Sequence, residues 1–545
     1  MTLPCNAERL LFTPAVTDDQ ATAIIFAFPN EYSVGITSLG YQMIWAMLAQ
    51  RSDVAVSRLF TDGHESLPSH AHLLGFSLSW ELDYTNILSM LESLDIPIWA
   101  AERGAEHPLV FGGGPVLTAN PEPFAAFFDV VLLGDGEVVL NAFVDAYQFV
   151  RGCDRATQLR HLATVPGVYV PALYEATYQG LGGPLESVLP LDPDIPSRLE
   201  KQTYRGNRLS TSTVVTEKAA WENIYMVEVV RSCPEMCRFC LASYLTLPFR
   251  TAPVAGGLIP AVERGMAVTN RLGLLGASVT QHPDFADLLD YLNAPKFDDV
   301  RLSIASVRTN TVNQKLTETL TRHGTRSITI AVESGSERLR RIVNKKLETD
   351  DITAAAINAK AGGLSAMKLY GMAGIPGETA EDLEATATLM QTLKKAAPGL
   401  RLTLGCSTFV PKAHTPFQWY GVNRQAEKRL KWLQKQLRSR GIDFRPESYN
   451  WSVIQALISR GDRRLARLLV QARSYGDSLS SYKRAFKDLK GQLPPLDFYV
   501  HTDWSSDQPL PWDHIGGPLP KPTLLKHRDS ALAHFPDAAR SPLPV

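Results

Sequence analysis

Over roughly the first 160 residues, continuous apolar runs alternate with segments of helical spacing. "ATAIIFAF" (21–28), "HLLGFSLS" (72–79), "HPLVFGGGP" (107–115) and "DVVLLGDGE" (129–137) are each bounded by Gly, Pro or Asp. That is the pattern of strands buried on both faces of a parallel sheet. Between them "LGYQMIWAMLAQ", "YTNILSMLESL" and "EVVLNAFVDAYQFV" carry helix-spaced apolar positions. The alternation predicts an α/β, doubly wound Rossmann-like sheet over 1–160, with a ligand at the carboxyl ends of its strands.

The stretch "QGLGGPLESVLPLDPDIPSRLEKQ" (179–202) is rich in Gly and Pro and reads as a linker, within a connecting segment spanning 161–218. Over 219–420 the βα pattern returns six times, with strands expected at "YMVEVV", "LGLLGAS", "DVRLSIAS", "RSITIAVE", "AMKLYGMAG" and "RLTLGCSTFV". Thr379 and Asp382 have the spacing of a capping box. Six units are too few for a closed eight-stranded barrel, so an open partial barrel follows, its site at the strand C-termini. From 421 to 545 the chain reads as amphipathic basic helices and then an irregular tail, whose last 15 or so positions are expected to be disordered.

A length of 545 residues implies two or three domains, and 55 basic against 56 acidic side chains leave a net charge of −1. No global field draws the chain to nucleic acid or an anionic membrane. The basic residues Arg424, Lys428, Arg429, Lys431, Lys435, Arg438, Arg440, Arg463, Arg464 and Arg467 offer phosphate contacts, but such a run is ordinarily a solvated helix face. Acidic residues stand in "MTLPCNAERLLFTPAVTDDQ" where a signal peptide needs an apolar run, and no membrane-spanning stretch occurs, so a cytoplasmic location is expected. Of six cysteines, Cys5, Cys153 and Cys406 are scattered, and Cys406 reads as a small buried hydrophobe, the alternative being that it points into the barrel.

The other three, Cys233, Cys237 and Cys240, crowd into eight positions of "VEVVRSCPEMCRFCLASYLTLPFR" (227–250). Structural zinc wants four ligands, and no His or Cys follows Cys240 until His282. A [4Fe-4S] cluster needs only three thiolates, leaving one iron open. The spacing CxxxCxxC, with aromatic Phe239 before the last cysteine and a strand before the first, resembles the signature of the radical SAM superfamily. "AVESGSERLRRIVNKK" (331–346) and "YGMAGIPGET" (370–379) resemble further motifs of that family. The resemblance implies S-adenosylmethionine (SAM) on the open iron and an electron donor such as flavodoxin or ferredoxin. It also implies SAM contacts from Phe239, Gly276, Ser278, Glu333, Ser334, Gly374, Ile375 and Pro376. Many members carry an acidic GGE motif after the second strand. Here Gly276, Ala277 and Ser278 stand in its place, and Ser278 or Glu333 remain as partners for the SAM amino group. Gln281 and His282 face substrate or form an ordinary turn.

The sheet ahead of the barrel resembles the cobalamin-binding domain of a group of radical SAM proteins with no settled reaction. "LVFGGGPVLTANPEPFAAFFDVVLLGDGEVVL" (109–140) and "GFSLSWELDY" (75–84) carry the likeness, with support from "FVPKAHTPFQW", "ALISRGDRRL" and "LPWDHI". The implied cobalamin contacts are Ser77, Ser79, Gly112, Gly113, Gly114 and Gly134. The loop "FPNEYSVGITSLG" has no DxHxxG histidine, and His64 reads as a surface residue. Either cobalt is bound without a protein imidazole, or the sheet has outlived its cofactor. The leading expectation is a radical SAM enzyme that methylates or rearranges an unactivated carbon of a small molecule. The alternatives are an RNA methylthiotransferase-like enzyme, which normally holds a second cluster on three N-terminal cysteines, and a non-catalytic cluster or cobalamin sensor or assembly protein.

Overall fold

The computed structural model describes residue 3, residues 7–305 and residues 307–536. Cys5 and the last nine positions of the tail lie outside them.

Thr22–Ala27, Val54–Phe60, Leu73–Ser77, Leu109–Gly113 and Val130–Leu132 are the parallel strands of a seven-stranded N-terminal sheet. In space the second lies outside the first, followed by the third, fourth and fifth. In this doubly wound order a ligand cleft opens where the first and third strands diverge. Short antiparallel strands, Gly63–His64 and Val168–Tyr169, finish the two edges. Helices Leu39–Ala49, Tyr84–Ser93 and Gly136–Val150 cover the faces, burying Trp45, Leu88 and Phe143. The strand Val54–Phe60 was not expected, because polar Arg58 interrupts its apolar pattern. That guanidinium is buried inside the sheet, 2.8 Å from each of Glu8 and Glu65.

Six further parallel strands, Ile224–Glu228, Arg271–Leu275, Arg301–Ile304, Ser327–Glu333, Ala366–Ala373 and Arg401–Thr408, coincide with the six runs read from the sequence. They form an open barrel of two sheets joined by a bridge between Val307 and Ile330. A seventh strand, Asp443–Pro446, adds parallel to the sixth, within the region read as helical. It is short and polar, which hides it from an apolar-pattern reading. Leu272, Leu302, Ile330, Leu369 and Leu404 point outward into the core shared with the helices. The alternate, inward positions at mid-height are Met226, Gly273, Ser303, Ala331, Tyr370 and Gly405. A closed barrel fills such a layer with bulky branched residues. Here most are Gly, Ser or Ala, and Tyr370 is 45% exposed in mid-sheet, so the lumen is hollow.

The 179–202 stretch is not a free linker. It holds Leu185–Pro190, paired with Tyr174–Tyr178, and Leu199–Glu200, paired with Ile515–Gly516 near the C-terminus. Helices Tyr449–Arg460, Leu465–Ser474 and Leu479–Asp488 share the core of the N-terminal sheet. Lys521–Leu532 is helical, so the described part of the tail is ordered. Several basic side chains are internally paired: Arg424 with Asp497, Lys431 with Glu427, Arg463 with Glu122 and Arg464 with Asp462. Among the described residues no helix is long and apolar enough to cross a membrane.

Candidate active site

Beyond the first barrel strand, Val230–Arg231 pairs antiparallel with Arg250–Thr251, a neck that closes the loop bearing the three cysteines. Ser232 (φ 71°) and Met236 (φ 56°) bend this loop through the left-handed region. Buried Arg238 pins it. Its backbone N–H donates to the Val343 carbonyl at 3.0 Å. Its guanidinium donates to the carbonyls of Arg341 (2.8 Å), Ile342 (2.7 Å) and His527 (2.5 Å). Asn344 Nδ2 adds bonds to the carbonyls of Glu235 (3.2 Å) and Met236 (2.8 Å). The loop is thus held by the segment after the fourth strand and by the last helix.

Cys237 is buried, while Cys233 and Cys240 are half-buried. Burial pushes the Cys237 thiol up to about 12 and raises Cys240 as well, against the opposing pull of the Lys345 ammonium. Thiols in such surroundings become thiolates when a metal displaces their protons. Among the described residues no three His, Cys, Asp or Glu side chains converge on one ion position. Three thiols on one loop suit a multi-iron cluster, each thiolate on its own iron.

Glu333 ends the fourth strand at φ 63°, buried, and accepts from Lys345 Nζ at 2.8 Å. Burial works against the Lys345 charge, but Glu333 and Cys237 outweigh it and the ammonium is favoured. Ser334 shapes the following turn, its hydroxyl accepting from Ser336 N at 3.1 Å and its carbonyl from Arg340 at 2.9 Å. Ile375 is buried in an apolar cluster with Leu339, Val343 and Phe417, and Phe239 packs against that cluster. The Gly374 N–H (φ 79°) donates to Glu378 Oε2 at 2.7 Å, and Thr379 and Asp382 form the expected capping box. Pro376 lines a separate depression beside Tyr420 and Arg528. Ser278 is buried and its hydroxyl bonds Gln281. His282 is not a surface residue: it is buried, with Nε2 2.7 Å from the Ala252 carbonyl and Nδ1 accepting from Asp284 N at 3.0 Å. Cys406 lies on the outer face of its strand among Ala373, Leu383, Leu430 and Leu433, the small buried hydrophobe expected.

A cavity of about 450 Å³ opens where the carboxyl ends of the N-terminal strands face the barrel mouth. Phe26, Phe76, Met43 and Leu140 form its apolar wall; Ser77, Ser79, Gly113, Gly114 and Gly134 its rim; Glu228, Arg231, Leu275 and Gly276 its barrel side. Gly276, assigned to SAM, therefore faces the interface. At Gly114 (φ 109°) a Cβ would stand 2.5 Å from the Leu78 carbonyl oxygen, so only glycine fits. Gly112 is not on the cavity, because Leu117 and Phe128 pack against its α-carbon. No histidine lines the cavity, and His64 is exposed at the sheet edge. Arg231 bridges the two domains, 2.7 Å from both Glu137 and Glu228, and Arg250 stands 2.6 Å from Asp135. Two pairs that sequence reasoning missed tie the sheet to the segment after the sixth barrel strand and to the C-terminal extension. Glu122 accepts from Arg463 Nε at 2.8 Å and from the Tyr169 hydroxyl at 2.6 Å. Glu81 takes Lys412 and, at 3.0 Å, the Ser459 hydroxyl.

Residues 40–171 match the family model described as radical SAM proteins, N-terminal, and residues 227–390 match the radical SAM superfamily. With the cysteine loop at the mouth of its partial barrel, this chain is a radical SAM enzyme. It is similar to an uncharacterised protein of Methanocaldococcus jannaschii, MJ0966, at 26% identity over 466 residues, 85% of this chain and 94% of that one. An uncharacterised methyltransferase of Pyrococcus horikoshii, PH0819, is 24% identical over 305 residues, 53% of this chain and 59% of that one. Among solved structures, the radical SAM methyltransferase TsrM from Kitasatospora setae, with cobalamin and a [4Fe-4S] cluster bound, shares the fold. Its TM-score is 0.50 at 13% identity, over 73% of this chain and 77% of that one.

Proposed function

We propose that the enzyme holds a [4Fe-4S] cluster on Cys233, Cys237 and Cys240, cleaves SAM reductively, and uses a corrinoid to methylate or rearrange an unactivated carbon of a small molecule. The observation that carries this reading is the interface cavity. One wall is the switch point of the N-terminal sheet and the other is the ends of the first two barrel strands, so a cofactor on the sheet looks into the barrel mouth. When bound, the cluster supplies the electron that splits SAM into methionine and a 5′-deoxyadenosyl radical, and a methylated corrinoid supplies the methyl group.

The chain's own residues do the positioning. An apolar wall with a Ser and Gly rim would suit a planar macrocycle with polar edges, and since none of the lining residues is a histidine, these residues would hold it at its periphery. Phe239, half-buried against the cluster that holds Ile375, presents apolar surface for the adenine. The small residues of the hollow layer leave room for substrate beneath the mouth. A reductant of the flavodoxin or ferredoxin type delivers the electron.

The test is anaerobic purification after growth with cobalamin, followed by metal analysis and SAM turnover with dithionite. About four irons and one cobalt per chain are expected, with 5′-deoxyadenosine as product. Full iron without cobalt removes the corrinoid, and no 5′-deoxyadenosine from cluster-loaded protein removes the reading altogether.

A further inference from the structure

We infer that Lys368 and Tyr370 receive an anionic oxygen group of the substrate, a carboxylate or a phosphate, inside the barrel lumen. The assignment rests on the radical SAM reading above and narrows the class of molecule acted on to acids. Both residues belong to the fifth barrel strand, Ala366–Ala373. Met367 and Leu369 pack outward into the core shared with the helices, so the alternate positions Lys368 and Tyr370 face the lumen. Lys368 Nζ donates to the Tyr370 hydroxyl oxygen at 3.1 Å and lies 4.7 Å from the centre of its ring. The phenol oxygen accepts that bond, which leaves its own O–H proton to be donated elsewhere.

The lumen wall supplies donors here and no free acceptor. Level with Lys368 the neighbouring strands present Thr329, Thr403 and Asp443. Asp443, two strands away, is already taken by Arg445 Nε at 3.0 Å and the Thr403 hydroxyl at 3.2 Å. Among the described residues no carboxylate pairs with Lys368 itself. Level with Tyr370 stand Ala331, Gly405 and Arg445, and none of their side chains accepts a hydrogen bond. A Cβ at Gly405 would lie 3.3 Å from Tyr370 Cδ1, so the ring leans over a strand that has no side chain at that level. It stays 45% exposed, open to a ligand in the lumen. An ammonium and a phenol side by side, with no anion of their own, complete their bonding on one anionic oxygen group through charge-assisted bonds. Tyr370 stands three residues before the end of the strand at Ala373, about 10 Å at about 3.3 Å per residue. With the cysteine loop at the mouth, the reacting carbon lies on the order of 10 Å from the anionic group.

The test is saturation-transfer NMR on the cluster-loaded protein under anaerobic conditions, with three probes of similar shape: 4-phenylbutyrate, 4-phenylbutyramide and 3-phenylpropyl phosphate. A preference of about tenfold or more for one of the anions over the amide is expected, and the tighter anion names the group. Lys368→Met should abolish that preference and leave the amide within about twofold of its original affinity, whereas Lys368→Arg should keep it. Tyr370→Phe, at an exposed position, should cut the preference about threefold. Iron content shows whether each variant has kept its cluster, and where Lys368→Met loads poorly Tyr370→Phe decides. Equal affinity for acid and amide, no binding of any probe, or a preference that survives Lys368→Met and Tyr370→Phe overturns the assignment while SAM cleavage stands. Failure of the unsubstituted, fully loaded protein to form 5′-deoxyadenosine overturns the parent reading with it.

Discussion

Removing Arg463 should invert part of the pH dependence of stability. Glu122 is 1% exposed, with Arg463 Nε at 2.8 Å, the Tyr169 hydroxyl at 2.6 Å and the His514 ring at 3.6 Å. Burial alone would raise its pKa, but Arg463 first, then His514 and Tyr169, outweigh burial and hold the carboxyl below its ordinary value. A depressed acid contributes stability that is present above the unfolded pKa and lost as pH falls through the folded one. Arg463→Met keeps the packing of the stem and leaves the anion buried without its guanidinium, which costs about 3–5 kcal/mol at pH 7. Burial then governs the acid, its folded pKa rises above the unfolded one, and the penalty grows as pH climbs past the ordinary value of 4.5. Urea unfolding followed by circular dichroism at about pH 5 and about pH 8 measures this. The Glu122→Gln, Arg463→Met double variant should recover the larger part of the loss. A single variant within about 1 kcal/mol of the parent at the higher pH, or an equal penalty at both, would refute the reasoning.

Three further outcomes follow from the same geometry. Changing any one of Cys233, Cys237 or Cys240 to Ala should remove most of the bound iron and keep the far-ultraviolet spectrum; undiminished iron in the triple variant would rule out the cluster. Gly114→Ala places a methyl 2.5 Å from the Leu78 carbonyl oxygen at φ 109°, costing about 2–3 kcal/mol in urea unfolding, and an unchanged midpoint would contradict the close approach. Glu378 is raised to about 7 by burial, against Arg429 and the Gly374 N–H. A raised acid costs stability as pH climbs from its ordinary value through its folded one, here up to roughly 3 kcal/mol, so Glu378→Gln should lack that decline between about pH 5 and 8. Equal declines in both proteins would count against it.

Strands with uninterrupted apolar runs were legible from the sequence, and so was the barrel. Val54–Phe60 was not, because its buried Arg58 is neutralised by Glu8, which lies 50 positions away. Asp443–Pro446 was hidden by being short and polar. The cysteine loop was plain because its ligands are neighbours in the chain. Glu122 and Arg463 both stood in quoted motifs, yet their pairing spans 341 positions and no local pattern announces it. Within the run Gly112, Gly113 and Gly114, strand pleat decides which glycines meet the cavity and which meets Phe128, and that needs the end of the strand to be fixed.

The N-terminal sheet is fastened to the later parts of the chain, by Glu122 to Arg463 and by Glu81 to Lys412, and the strand Leu199–Glu200 is stitched to Ile515–Gly516. Opening the interface would break buried ion pairs, so the halves are poor candidates for a hinge. Among the described residues the barrel wall is thinnest between its third and fourth strands, where one backbone bridge, Val307 to Ile330, joins the two sheets. The barrel therefore relies least on its own backbone pairing there, and the pairs that hold the chain together across its domains lie between residues far apart in the chain.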